Sequence, residues 1–156
     1  MLGIRVRLLD LVMIFTNGIK GRQFLDTNIL VYAHDKTEGR KQALAQELIV
    51  HLWETGQGCL SLQVLQEFYV TVTRKWAHPL PFNYAIRLLE DFSQWNVHRP
   101  TVSDLVDAAR LQQQVQISFW DALILTSAKR LECETVWSED LNAGQHYEDI
   151  VVRSPF

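Results

Sequence analysis

The sequence predicts an α/β sandwich, a mostly parallel central sheet flanked by helices. Helical patterns and short apolar strands alternate along the chain with short connections between them, the order typical of parallel sheets. Apolar residues also recur at helical spacing, as Leu44, Leu48 and Leu52 do at every fourth position. A chain of 156 residues forms one ordinary domain with a sizeable core.

The elements follow from these patterns in order. Residues 22–26 read as a first strand, after which Thr27 or Asn28 caps a short apolar turn over residues 29–33. A helix over residues 40–53 follows. The remaining predicted strands are residues 59–60, 95–99, 135–137 and 150–152. Ser61 is predicted to cap a helix over residues 63–75, and another helix begins at about Pro81. Ser103 is predicted to cap a helix over residues 104–114, with Leu105, Val106 and Ala109 facing inward. Ser118 opens the last predicted helix, residues 119–131.

Composition narrows the class of protein. The hydrophobic share of 47% and the charged share of 21% are those of a globular protein, and no apolar run reaches the ~20 residues of a membrane span. The net charge of -3 gives no indication of a basic face for binding nucleic acid. Cys59 and Cys133 form no disulfide framework or metal motif, which fits a reducing cytoplasm.

Residues 1–21 are predicted to form an N-terminal extension, and the domain spans residues 22–156. Arg5 and Arg7 precede an apolar run that resembles a signal peptide, but Asp10 interrupts it and no small-residue cleavage site follows. A loosely attached extension, or a start codon assigned too early with Met13 as another candidate, explains the segment better.

Four carboxylates occur at junctions between predicted elements. Asp26 follows the first strand, Glu67 lies in the helix opened by Ser61, Asp121 lies in the first turn of its helix, and Asp140 follows the strand 135–137. Strand ends and helix starts gather along one edge of a parallel sheet. Carboxylates that meet there repel one another unless a cation neutralises them or one of them takes up a proton, and oxygen ligands suit Mg²⁺ or Mn²⁺.

Each carboxylate also has a simpler interpretation. Asp26 can cap the following turn, and Glu67 can be a partly exposed helix residue. Asp121 can complete a capping box with Ser118, and Asp140 can serve a turn. The order and placement of the four acids together, rather than any one of them, carry the prediction of a site.

Residues 24–33, 61–69, 119–124 and 137–141 resemble the four successive motifs of PIN domains. The resemblance spans residues 22–156, is closest to the VapC-type toxins of bacterial toxin–antitoxin pairs, and implies a three-layer α/β/α fold. It implies an endoribonuclease dependent on Mg²⁺ or Mn²⁺, an RNA substrate and a cognate antitoxin. Carried onto this chain, the catalytic, metal-binding quartet is Asp26, Glu67, Asp121 and Asp140, supported by Thr27, Asn28 and Ser138. Glu139 beside Asp140 leaves open which of the two faces the metal.

Two sets of surface residues are weaker candidates. The candidates for contacts to RNA phosphates are Arg74, Lys75, Lys129 and Arg130. Basic residues at helix ends are also common simply because they interact favourably with the helix dipole. The candidates for a homodimer or antitoxin interface are Tyr32, Trp53, Phe68, Tyr69 and Trp76, with core packing as the stronger interpretation.

Three other functions compete with the toxin nuclease. A haloacid-dehalogenase-type phosphatase needs a second Asp two residues after the first, and Asn28 occupies that position. A catalytically silent PIN-like module that binds protein or RNA has no need of all four acids. An RNA-processing PIN nuclease without a toxin role has the same site, so the residues alone do not separate it from a toxin.

Overall fold

A computed structural model describes residues 17–156. The strands are β1 (Arg22–Leu25), β2 (Gly58–Ser61), β3 (Asn96–His98), β4 (Cys133–Trp137), β5 (His146–Tyr147) and β6 (Ile150–Arg153). The helices are α1 (Thr27–His34), α2 (Arg40–Thr55), α3 (Leu62–Val70), α4 (Phe82–Phe92), α5 (Val102–Val115) and α6 (Phe119–Arg130), with a π-helical turn (Thr71–Lys75) continuing α3. Most of the predicted extension, residues 1–16, lies outside the described residues.

The six strands form one sheet in the order β3-β2-β1-β4-β6-β5. All neighbouring strands are parallel except β5 and β6, so the predicted fold class is confirmed. In register, Phe24 of β1 lies beside Cys59 of β2, and Leu25 lies beside Trp137 of β4. The carboxyl ends of β1 and β4 therefore meet at the same sheet edge, with β2 on the other side of β1.

The core lies where the helices pack on this sheet. Phe24 and Leu25 of β1 and Ile29 and Leu30 of α1 are fully buried, as near-continuous apolar runs in parallel sheets usually are. Trp137 is also buried, and its indole Nε1 donates to Gln23 Oε1 at 2.8 Å. This hydrogen bond pairs the one polar atom of the indole, which burial would otherwise leave without a partner. Within residues 17–156, no helix is long and apolar enough to cross a membrane.

The predicted cap of the first helix is wrong in one respect. Thr27 is already helical, and the residue before it, Asp26, caps α1 by accepting the Thr27 backbone N–H on its side chain. The strand consequently passes into the helix without a loop, and the carboxylate is held at the junction.

The predicted start and inward face of α5 are also wrong. Thr101 rather than Ser103 caps the helix, in a capping box with Asp104. Leu105 and Val106 are exposed, whereas Asp104 and Ala108 are buried. This face of α5 packs against α6 through the apolar cluster of Ala108 with Ala122 and Leu123, and through the ion pair of Asp104 with Arg130.

Replacing Asp104 by alanine should lower the unfolding free energy by roughly 2–3 kcal/mol, since a cap and a buried acceptor are lost together. Asp104 accepts the Thr101 N–H at 2.7 Å and Arg130 Nε at 2.6 Å, with His98 Nε2 at 3.4 Å. The control is Asp107→Ala, because Asp107 binds the same arginine at 2.8 Å from a more exposed position. Urea denaturation showing equal losses for the two variants would contradict this account.

Candidate active site

Asp26 lies at the centre of the sheet edge where β1 and β4 end. Its backbone N–H donates to the Trp137 carbonyl at 2.9 Å, which extends the β1–β4 pairing by one residue. Its Oδ1 accepts the Thr27 N–H at 2.7 Å, and its Oδ2 accepts the Ser138 hydroxyl at 2.7 Å. The side chain is buried. Each carboxylate oxygen thus has a donor, but no positive charge is among these contacts.

Burial raises the pKa of Asp26 from 3.8 to about 6. The hydrogen bonds from Ser138 and Thr27 oppose this shift, while the negative charges of Asp140 and Glu67 reinforce it. Two other members of the predicted quartet are therefore near enough to Asp26 to act on its ionisation. A bound cation would remove the penalty on the charged form, because it supplies the missing positive charge.

Glu67 is tied to the first motif from the side of α3. Its Oε2 accepts the Thr27 hydroxyl at 2.7 Å, and its Oε1 accepts Gln63 Nε2 at 2.9 Å. Gln63 lies one helical turn before Glu67, where side chains share a helix face. Glu67 is a partly exposed helix residue, as the simpler interpretation expected, and its carboxylate is also held against α1 by Thr27.

The side chains of Asp140 and Glu139 bind different partners. Asn28 Nδ2 donates to Asp140 Oδ2 at 3.0 Å, and Ser138 Oγ accepts the Asp140 N–H at 3.1 Å. Glu139 pairs instead with Lys41, and this bond together with one from Tyr32 lowers the pKa of Glu139. Both acids contact first-motif residues, since the Glu139 N–H also donates to Asn28 Oδ1 at 3.3 Å, but of the two only Asp140 lines the cleft described below.

Asp121 lies in the first turn of α6. Its backbone N–H donates to Ser118 Oγ at 3.0 Å. Among residues 17–156, the reciprocal bond of a capping box, from the Ser118 N–H to the Asp121 carboxylate, is not formed. Burial raises the pKa of Tyr147 on β5, and the negative charge of Asp121 adds to that rise. The structure thus places Asp121 near Tyr147 and not in the lining of the cleft that holds Glu67 and Asp140.

Gln63 connects the start of α6 to the other acids. Its Nε2 donates to the Trp120 carbonyl at 3.4 Å as well as to Glu67. Because both acceptors require a donor, the amide orientation is fixed and Oε1 faces the other way. Within the described residues, this buried Oε1 has no hydrogen-bond partner. Sequence reasoning missed Gln63, although its position four residues before Glu67 on one helix was an available signal.

These residues surround an open cleft of about 680 Å³. Its lining includes Glu67 and Asp140 of the predicted quartet and Thr27 and Asn28 of the predicted supporting residues. Asp26 is buried and joins the lining through its bond to Thr27. The cleft lining therefore contains residues of all four motifs, with Trp120 from the third, but Asp26 and Asp121 are not among them.

The donors at this cleft fit a hard divalent cation. They are carboxylate, hydroxyl and amide oxygens, the ligands that Mg²⁺ and Mn²⁺ prefer. The unneutralised, buried Asp26 and the unpaired Gln63 Oε1 are both groups that a hydrated cation would satisfy. Within residues 17–156, no three His, Cys, Asp or Glu side chains stand together as a preformed metal group. The acids are held by polar neighbours rather than gathered on one point.

The predicted RNA-contact residues separate in the structure. Lys75 lines the cleft, at the end of the π-helical turn. Lys129 pairs with Glu148 at 2.5 Å, and Arg130 pairs with Asp104. The two α6 residues are thus engaged in ion pairs at the helix end opposite Asp121, and the structure does not bring them to the cleft.

The aromatic residues predicted for an interface or the core also divide. Phe68 is fully buried in the core, and Tyr32 packs edge-to-face on Phe156 with ring centroids 5.1 Å apart. Trp53 packs on Trp95 at 5.9 Å and remains partly exposed. Core packing thus accounts for Phe68, while the homodimer stays a prediction.

Comparison with known proteins gives a family and a fold. The PIN domain family model matches residues 24–147. No curated protein sequence matches the chain significantly.

Three solved structures share the fold. A toxin–antitoxin complex from Klebsiella pneumoniae is 20% identical, with a TM-score of 0.61 over 86% of this chain and 98% of its own. VapC20 of Mycobacterium tuberculosis, described as a sarcin-ricin-loop-cleaving toxin, is 18% identical, with a TM-score of 0.53 over 73% and 86%. VapBC2 of Rickettsia felis, bound to a promoter DNA fragment, is 16% identical, with a TM-score of 0.59 over 85% and 97%. Because the family model covers most of the chain, the protein belongs to the PIN domain family.

Proposed function

We propose that this PIN domain is an endoribonuclease dependent on Mg²⁺ or Mn²⁺, and the toxin of a toxin–antitoxin pair. The observation that carries the proposal is the buried Asp26 at the β1–β4 edge, held by Thr27 and Ser138. The same two residues bind the other acids, because the Thr27 hydroxyl donates to Glu67 and Ser138 Oγ accepts the Asp140 N–H. A buried carboxylate with acidic neighbours and no positive partner is costly in an unliganded fold. It is useful in a site that binds a cation.

In this proposal Asp26, Glu67, Asp121 and Asp140 hold the cation. Thr27 and Gln63 fix the Glu67 carboxylate, while Asn28 fixes that of Asp140. Ser138 holds Asp26 and, through its accepted N–H bonds, the turn that carries Asp140.

The cation would lower the pKa of a bound water and stabilise negative charge on a phosphodiester. The protein's own contribution is to orient the acids and to keep Asp26 away from bulk solvent. No serine or cysteine nucleophile is needed for hydrolysis of this kind.

The toxin role and the antitoxin partner rest on the comparisons. The structural neighbours include toxin–antitoxin complexes and a toxin described as cleaving the sarcin-ricin loop. We extend these roles to this chain as a proposal, together with an RNA substrate and a cognate antitoxin.

The nuclease is tested by incubating the purified protein with total RNA and with labelled oligoribonucleotides in Mg²⁺ or Mn²⁺. We expect cleavage that EDTA abolishes and that added Mg²⁺ restores, with Asp121→Asn as the inactive control. Cleavage that persists in EDTA, or that survives both Asp26→Asn and Asp121→Asn, would overturn the metal mechanism. Binding of RNA without any cleavage would favour the silent binding module.

The toxin role has its own test. Expression of the wild type should arrest growth, Asp121→Asn should not, and co-expression of a neighbouring antitoxin gene should relieve the arrest. Metal-dependent cleavage without growth arrest would indicate an RNA-processing nuclease instead.

A further inference from the structure

The rim of the cleft carries an exposed tryptophan. Trp120 is 61% exposed and lines the cleft with Glu67 and Asp140. Its neighbour Phe119, and not Trp120, is the aromatic side chain that packs against the small buried cluster of Ala108, Ala122 and Leu123. Core packing therefore does not explain why so large an aromatic side chain stands at this position.

The backbone of Trp120 is fixed relative to the acids. It lies in the first turn of α6, one residue before Asp121, and its carbonyl accepts Gln63 Nε2 at 3.4 Å. The same Nε2 donates to Glu67 at 2.9 Å. The Phe119 ring supports the indole edge-to-face, with centroids 5.4 Å apart. The indole is thus presented beside the acids by a rigid element.

The indole at the rim suits contact with a base rather than with a phosphate. In the proposed function the acids hold the cation that meets the scissile phosphate, and within the described residues the positively charged side chain of the lining is that of Lys75. A neighbouring phosphate therefore finds its partner in Lys75 and not in the indole. An indole face carries no net charge and stacks on any base that is free of its own stack. Bases inside a duplex are already stacked, so an aromatic rim selects unpaired nucleotides.

We infer that Trp120 stacks on the base of an unpaired RNA nucleotide next to the scissile phosphate, while Lys75 contacts a neighbouring phosphate. Trp120 would thereby discriminate against a nucleotide whose base is held in a duplex. This inference rests on the proposed ribonuclease function and assigns to that site a residue that determines which nucleotides it accepts.

The test is a double-mutant cycle between the protein and the RNA. A cleaved oligoribonucleotide is synthesised with an abasic nucleotide at each position around the cut site in turn, and kcat/KM is measured for wild type and Trp120→Ala. Binding is measured in parallel by fluorescence anisotropy in the Asp121→Asn background, which needs no cleavage. Trp120→Phe retains an aromatic face, and Phe82→Ala, an exposed aromatic away from the cleft lining, is the matched control.

At one position, an abasic nucleotide should cost the wild type roughly 5- to 150-fold in kcat/KM and in affinity. Trp120→Ala should lose a similar factor on the intact RNA and little more on that abasic RNA, while Trp120→Phe and Phe82→Ala stay near wild type. Additive effects at every position, or equal cleavage of duplex and single-stranded RNA, would overturn the stacking role but leave the nuclease intact. A wild type that neither cleaves nor binds RNA overturns the proposed function itself, and this inference with it.

Discussion

Asp26→Asn is expected to lower the rate of RNA cleavage at least roughly 100-fold at saturating Mg²⁺, since it removes a charged ligand from a preorganised site. The amide keeps the size of the side chain and an acceptor for the Thr27 N–H, so the fold is retained. Circular dichroism of the variant checks that retention, and single-turnover cleavage of a labelled RNA measures the loss.

The chain offers a matched pair of controls in the fourth motif. Asp140→Asn removes a carboxylate from the cleft and should reduce cleavage by a comparable factor. Glu139→Gln removes the adjacent carboxylate, which pairs with Lys41, and should change the rate less than about threefold because surface ion pairs contribute little. Loss of activity in Glu139→Gln with retention in Asp140→Asn would reverse this assignment of the two acids.

The metal-free protein is expected to become less stable, relative to Asp26→Asn, as the pH rises from about 4 to 7. The pKa of Asp26 is raised from 3.8 to about 6 in the fold, so folding favours the protonated carboxyl. The stabilisation is complete below the unfolded value and is lost as the pH passes the folded value. The shift of about 2 units corresponds to roughly 3 kcal/mol of unfolding free energy.

Urea denaturation in EDTA at several pH values measures this effect, with Asp26→Asn subtracted to remove the titration of other groups. Divalent cation binds the ionised form, so at pH 8 Mg²⁺ should raise the Tm of the wild type more than that of Asp26→Asn. A difference between wild type and variant that stays constant from pH 4 to 8 would contradict the assignment of this pKa shift to Asp26.

Much of the fold was predictable because its signals are local. The buried run ending at Asp26 and the four-residue spacing of Leu44, Leu48 and Leu52 each specify an element without reference to distant residues. The face of α5 was not predictable in this way. Asp104 lies on the inner face because it closes the capping box with Thr101 and binds Arg130, and Arg130 lies in the next helix.

The candidate site also has a part that local sequence signals predict and a part that they do not. Asp26, Asp121 and Asp140 could be found in the sequence because they follow strands or open a helix. Glu67 lies within α3 and was predicted from the motif that residues 61–69 resemble. The contacts that hold the four acids could not be found in this way, since Thr27 bonds Glu67 across forty positions and Asn28 bonds Asp140 across more than a hundred. The different roles of Asp140 and Glu139 depend on the position of Lys41, which pairs with Glu139, and that position is not evident from the sequence.

The most direct measurement is the anomalous scattering of Mn²⁺ in a crystal of this protein soaked with the ion. The account predicts an anomalous peak at the β1–β4 edge, coordinated by Asp26 with Asp140, Glu67 or Asp121, and absent from a crystal of Asp26→Asn. A peak held only by Glu139 or by surface carboxylates, or no peak at this edge at saturating Mn²⁺, would contradict it.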